Sequence, residues 1–267
     1  MSNPPPGWRP YEERIPGHKS KDLLLRWVSR HAAERYRFGQ LPALERTVLA
    51  HTIATADGRL AFIKNPKAGC TTIAHLLYRY DHGHDYEGRI HYAPVGLRAD
   101  ISQWRDLRDA LVNAVSFSTV RQPESRAVSA FFDFFVKRQN DEAPKHLDRI
   151  EAFGFSRRDD LGYRFDVYLD YVEANLAHSD LRTDPHFRPQ HINLGHGAFT
   201  LTHVGRVETL DADLQHVAEL AGIELPRPDS LTDARKNRSG STAFAPSLAQ
   251  RRRIEALYAR DYELYGY

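Results

Sequence analysis

Apolar residues recur along this chain in two rhythms. Short continuous runs, Leu60-Ala-Phe-Ile63 and Val115-Ser-Phe-Ser-Thr-Val120, have the apolar and β-branched character of buried strands. Thr202-His-Val-Gly205 reads as a shorter one. Other segments repeat at helical spacing: 20–38, where Leu23, Leu24, Trp27 and Val28 form a stripe between Lys and Arg; Ile73–Tyr80; Glu124–Arg138; Phe165–His178; Leu210–Gly222; and Ser247–Leu264. In the last of these, Arg251, Arg252 and Arg253 read as a solvated face. Strands alternating with helices predict an α/β fold, a parallel sheet covered on both sides. Residues 1–19, with Pro4, Pro5, Pro6, Pro10 and Pro16, read as an extended arm that orders only where it packs on the body. The body, 20–267, reads as one domain without internal repeats.

Two strand–loop–helix units carry the chemistry. In the first, the run ending at Ile63 gives way to Asn65-Pro-Lys-Ala-Gly-Cys70, then to a helix that Thr71 or Thr72 could cap. Loop and first-turn amides, the helix dipole, the Lys67 charge and the threonine hydroxyls make an oxyanion cradle. Lys67 precedes Gly69 and no Lys-Ser or Lys-Thr pair follows, so the spacing departs from the triphosphate loop and disfavours a Mg-nucleotide site. In the second unit Arg121-Gln-Pro123 turns the chain from strand into helix, with Pro123 suited to the first helical turn.

Composition narrows the setting. The chain has 267 residues and a formal charge of +2, too even a balance to announce nucleic-acid or anionic-membrane binding. Cys70 is the single cysteine, which excludes an internal disulfide and a Cys-rich zinc site. No apolar run has the length of a membrane span, and the first ten residues lack the apolar stretch of a secretory signal. The chain therefore reads as soluble and cytoplasmic.

Phe62-Ile-Lys-Asn-Pro-Lys-Ala-Gly-Cys-Thr-Thr72 resembles the 5′-phosphosulfate loop of sulfotransferases that use 3′-phosphoadenosine 5′-phosphosulfate (PAPS). Val120-Arg-Gln-Pro-Glu-Ser-Arg-Ala-Val-Ser-Ala130 resembles the 3′-phosphate motif of their carbohydrate branch, the HNK-1 and chondroitin type. Asp184-Pro-His-Phe-Arg-Pro-Gln-His191 and Tyr262-Glu-Leu-Tyr-Gly-Tyr267 are similar to it less specifically. The resemblance implies a P-loop-like central parallel β-sheet flanked by helices on both faces. It implies sulfuryl transfer to a carbohydrate, glycolipid or secondary-metabolite hydroxyl, without a metal, leaving 3′-phosphoadenosine 5′-phosphate (PAP). Lys67, Ala68, Gly69, Cys70, Thr71 and Thr72 would hold the 5′-phosphosulfate. Arg121 and Ser129 would hold the 3′-phosphate, and Arg235, Lys236 and Asn237 would close over the nucleotide. Arg126 reads as a structural ion-pair residue rather than a ligand. Eukaryotic members of this branch are membrane-anchored with lumenal disulfides, and the sequence shows neither an anchor nor paired cysteines, which counts against a Golgi glycan role.

A general base must take the acceptor proton, and histidine is the usual choice. Of 14 histidines, His91 follows the first helix, where related enzymes place a base, and is the first candidate; His186 is the second. His75 reads as packing, and His82 and His84 as loop residues. Two other readings stay open. One is a nucleotide-binding protein or small-molecule kinase. The other is a Cys70 nucleophile whose thiol pKa is lowered at a helix N-terminus.

Overall fold

The computed structural model describes residues 4–17, 19–93, 97–98, 103–226 and 244–267. The chain forms two compact units. One comprises Ile15–Val120 and Asn193–Thr232; the other comprises Met1–Arg14, Arg121–Ile192 and Asp233–Tyr267.

The first unit holds a sheet of five strands: β1 Thr52–Ala54, β2 Leu60–Ile63, β3 Leu97–Arg98, β4 Val115–Val120 and β5 His203–Arg206, in the order β3-β1-β2-β4-β5. β2, β4 and β5 are parallel, as expected, while β1 runs antiparallel to both β2 and β3. Every residue of β2 is buried, because successive side chains enter two different cores. Leu60 and Phe62 pack with Ile73 and Leu77 of the helix Cys70–His82 and with Leu214 and Val217 of the helix Leu210–Ala221. Ala61 and Ile63 pack with Val48 and Leu49 of the helix Ala43–Ala50 and with Leu107 and Leu111 of the helix Trp104–Asn113. Helices thus cover both faces of the central strand.

The expected helix 20–38 is two helices, Ser20–Leu25 and Arg30–Gly39. Ser29 stops the run by accepting a hydrogen bond from the Ala32 amide, so the second helix starts on its own cap. The apolar stripe is not buried: Leu24, Trp27 and Val28 are 78%, 81% and 82% exposed.

The second unit is helical around an aromatic core of Phe131, Phe134, Phe135, Phe165, Tyr168, Tyr171 and Phe187. The helix Pro123–Phe131 starts on Gln122, whose side chain accepts from the Ser125 amide. The expected continuation to Arg138 is instead a π turn, Phe132–Val136, with the Lys137 amide reaching back to the Phe132 carbonyl. The expected C-terminal helix breaks at Tyr258 into Leu248–Leu257 and Ala259–Tyr265. The Tyr258 hydroxyl donates to the Phe187 carbonyl, a tertiary bond that outweighs local helix propensity. Arg253 is not simply solvated: it pairs with Asp170 at 2.6 Å and Glu173 at 3.3 Å. Tyr11 and Glu13 of the N-terminal arm pack within this unit. Tyr11 stacks on His146 at 4.3 Å, the Tyr11 amide donates to Asn175 Oδ1, and the Glu13 amide donates to the Arg182 carbonyl.

Candidate functional site

The loop between β2 and the helix Cys70–His82 is tied to β4 along its length. Ser118 Oγ donates to the Ile63 carbonyl (2.7 Å), Asn65 Nδ2 donates to the Thr119 carbonyl (2.9 Å), and Thr119 Oγ1 donates to the Ala68 carbonyl (2.5 Å). Asn65 is fully buried, and its Oδ1 accepts from Asn193 Nδ2 at 3.0 Å. These bonds impose a tight path in which both Lys67 (φ 66°) and Gly69 (φ 81°) are left-handed. Glycine takes that conformation freely, whereas Lys67 is held there against a cost of about 1 kcal/mol or more. The strained residue is the one whose charge the sequence reading places in an oxyanion cradle.

Gly69 is the N-cap, and no side chain caps the helix. Thr71 and Thr72 therefore lie inside the first turn rather than capping it. The unanswered first-turn amides of a helix are an anion-binding feature. Cys70 opens the helix, but burial pushes its thiol above the ordinary value, outweighing the pull of Lys64 and Lys67. That is the reverse of what a thiolate nucleophile needs.

His91 lies in the short turn Ile90–Tyr92, anchored by buried Ile90 in the core beneath the helix. The ring is exposed, and its Nε2 is 3.2 Å from Thr71 Oγ1. The fold thus brings together a histidine and a first-turn helix hydroxyl twenty residues apart in sequence. His75 is half-buried, with burial lowering its pKa, in keeping with a packing role. His82 ends the helix and stacks on Tyr78, so it is not a loop residue.

β4 runs parallel to β2 in register Phe62↔Phe117, so both strands leave the sheet at the same edge. Arg121 is the next residue after β4. Its main chain is gripped by the buried Gln190 side chain: the Arg121 amide donates to Gln190 Oε1, and Gln190 Nε2 donates to the Arg121 carbonyl, both at 2.9 Å. Asp261, also buried, accepts from the Gln190 amide (2.7 Å) and the His191 amide (2.9 Å), and lies 2.7 Å from His191 Nδ1. Sequence reasoning missed Gln190 and Asp261. Ser129, half-buried, lies about two turns into the helix that begins at Pro123. Arg126 is buried and donates to the Arg188 (2.9 Å) and Pro185 (2.8 Å) carbonyls.

His186 belongs to a polar cluster around Asp184. The buried Asp184 carboxylate accepts from the His186 amide and meets His186 Nδ1 at 2.7 Å and His146 Nε2 at 3.1 Å. His146 Nδ1 in turn lies 2.7 Å from the Tyr171 hydroxyl. Burial alone would raise the Asp184 carboxyl, but His186 and His146 outweigh it and hold it well below the usual carboxylate range. A depressed folded-state pKa means stability that is present above the unfolded value, about 3.9, and lost as pH falls below it. Asp184→Asn should lower unfolding free energy at pH 7 by about 2–3 kcal/mol and flatten the loss of stability below about pH 4. Urea melts across pH 2–7 check this; an unchanged acid limb would remove Asp184 as its source. Arg235, Lys236 and Asn237 lie outside the described residues.

Comparison with known proteins agrees with these motifs. The sulfotransferase family model matches residues 50–267. Carbohydrate sulfotransferase 10 of Xenopus laevis is 25% identical over 285 aligned positions, spanning 94% of this chain and 76% of that protein. No solved structure matches.

Proposed function

Since the chain belongs to the sulfotransferase family, and so is an enzyme with PAPS as its sulfate donor, we propose that its acceptor is a carbohydrate hydroxyl and that Lys67, Arg121 and His91 carry donor binding and transfer. The observation that supports this most is the strained Asn65–Thr72 loop, with left-handed Lys67 and Gly69 opening onto an uncapped helix. The carbohydrate acceptor is supported by the similarity to carbohydrate sulfotransferase 10.

In this reading Lys67, Gly69, Thr71, Thr72 and the first-turn amides hold the 5′-phosphosulfate, with Ala68 and Cys70 contributing main chain. Arg121 and Ser129 hold the 3′-phosphate, and Arg235, Lys236 and Asn237 cover the nucleotide. His91 Nε2 takes the acceptor proton as the hydroxyl oxygen bonds to sulfur, and the bond from sulfur to the phosphate oxygen breaks. Lys67 and the amides stabilise the charge that develops on that oxygen. No divalent metal takes part.

Arg121 offers a planar fork of donors to a phosphate. Its backbone is fixed by Gln190, so the side chain starts from a set position. Because Arg121 is only half-buried, Arg121→Ala should weaken PAP at the lower end of the range for a charged partner, about 2 kcal/mol. Adenosine 5′-phosphosulfate, which lacks the 3′-phosphate, should bind parent and variant alike. An equal loss for both nucleotides would place Arg121 in another role. The acceptor class is tested by labelled sulfate transfer from PAPS to oligosaccharides and, separately, to phenols and steroid alcohols. Sulfation of the phenols or steroids alone would overturn the carbohydrate reading.

A further inference from the structure

We propose that the segment Lys19–Arg30 is a docking surface for an anionic membrane, which the protein rests on rather than spans. Leu23, Leu24, Leu25, Trp27 and Val28 are 44%, 78%, 43%, 81% and 82% exposed, five large apolar side chains within six consecutive residues. The other large exposed hydrophobics among the described residues, such as Val112, Tyr163 and Leu248, are scattered singly and need no explanation.

The segment is turned the wrong way for a helix facing water. Its buried residue is Asp22, whose carboxylate takes paired hydrogen bonds from Arg35 and one from the Lys19 amide (2.7 Å). An amphipathic helix on a soluble core buries its leucines and exposes its charges. Here the ion pair is inside and the leucines are outside. The carboxylate that could have offset the neighbouring cations is thereby removed from the surface.

What remains around the apolar residues is positive. Lys19, Lys21 and Arg30 are exposed, and the Arg26 guanidinium lies over the Trp27 and Tyr36 rings at 5.1 and 4.6 Å. The next carboxylate, Glu34, is bonded to Arg37 and Arg105. A second copy of the chain meeting this face symmetrically would bring two cationic rims together. An anionic bilayer meets both halves of the pattern: headgroups oppose Lys and Arg, while leucines and the indole enter the acyl boundary. Trp27 has the side chain favoured at that depth. The helix has six residues, and no helix among the described residues is long and apolar enough to cross a membrane. The whole-chain charge of +2 conceals this local patch.

The test is co-sedimentation of the full chain with phosphatidylcholine vesicles, alone or with about 30 mol% phosphatidylserine. The protein should bind the anionic vesicles, and binding should weaken with added salt. The double variant Leu24→Ser/Trp27→Ser should lose binding by roughly tenfold or more, and Lys21→Glu by roughly fivefold or more. All three positions are exposed, so melting temperature and sulfate transfer to a soluble acceptor should stay at the parent values. Absence of binding to anionic vesicles at low salt would overturn the proposal, as would equal binding by parent and double variant. A concentration-dependent dimer abolished by the double variant would also overturn it, by showing that a second copy covers the patch.

Discussion

His91→Ala should leave PAP affinity intact while lowering turnover by about 10²–10⁴, the scale of general-base catalysis. The ring stands on a turn pinned by buried Ile90, with Nε2 3.2 Å from Thr71 Oγ1 at the first turn of the helix Cys70–His82. A base for the acceptor hydroxyl must lie beside the transferred group, and this position is beside the loop proposed to hold it. A purely structural His91 would act by placing Thr71, and His91→Ala would then weaken PAP binding as Thr71→Val does. The two roles separate on the pH profile. Loss of a base removes the acidic limb of turnover against pH, and added imidazole restores part of the rate. Loss of a contact lowers the profile without changing its shape. If His91→Ala keeps the parent rate and profile, His186 becomes the residue to test. Its Nδ1 lies 2.7 Å from Asp184 Oδ1 and its Nε2 3.4 Å from Asn140 Nδ2.

Lys67→Ala should reduce turnover by about 10²–10³, with a smaller loss of PAP affinity. An interaction with charge that develops only as the sulfur–oxygen bond breaks is worth more in the transition state than in the bound ground state. The left-handed backbone at Lys67 (φ 66°) is a strained conformation of the kind that clusters at ligand-binding loops. Two hydrogen bonds tie the loop to β4, from Asn65 Nδ2 to the Thr119 carbonyl and from Thr119 Oγ1 to the Ala68 carbonyl, and Lys67→Ala leaves both in place. The melting temperature of the variant should therefore match the parent. An equal fall in affinity and turnover would mean that Lys67 contributes ground-state binding alone.

The parts of this molecule legible in its sequence are those whose information is local. β2, β4 and the loop after β2 announce themselves as apolar runs followed by Pro, Gly and a helix start. The signal for β1 lies beside it: Asp57-Gly58, a hairpin dipeptide, sits between β1 and β2, with Gly58 at φ 70° and Thr55 bonded across the turn to Leu60. A strand of three residues was too short to be seen by pattern alone. The helix Trp104–Asn113 buries Trp104, Leu107 and Leu111 at helical spacing, but its remaining charges masked them. The inverted segment around Leu24 misled because its orientation is set by Asp22 and Arg35, thirteen residues apart. Longer separations were beyond reach. Gln190 lies 69 residues from the Arg121 backbone it grips, and Asp261 lies 71 from the Gln190 amide it holds. No periodicity encodes such pairs, because tertiary structure alone brings them together. The motif resemblance pointed to Gln190 and His191 as a segment, without telling which atoms they fix.

In the proposed reading the Asn65–Thr72 loop binds the 5′ end of the donor nucleotide and Arg121 its 3′-phosphate, each without a metal. Calorimetric titration of the full chain with PAP in EDTA, beside a titration with Mg-ATP, tests it most directly. Saturable PAP binding without metal, weakened by Arg121→Ala and much stronger than Mg-ATP binding, is the predicted result. No PAP binding, together with tight binding of Mg-ATP, would contradict it.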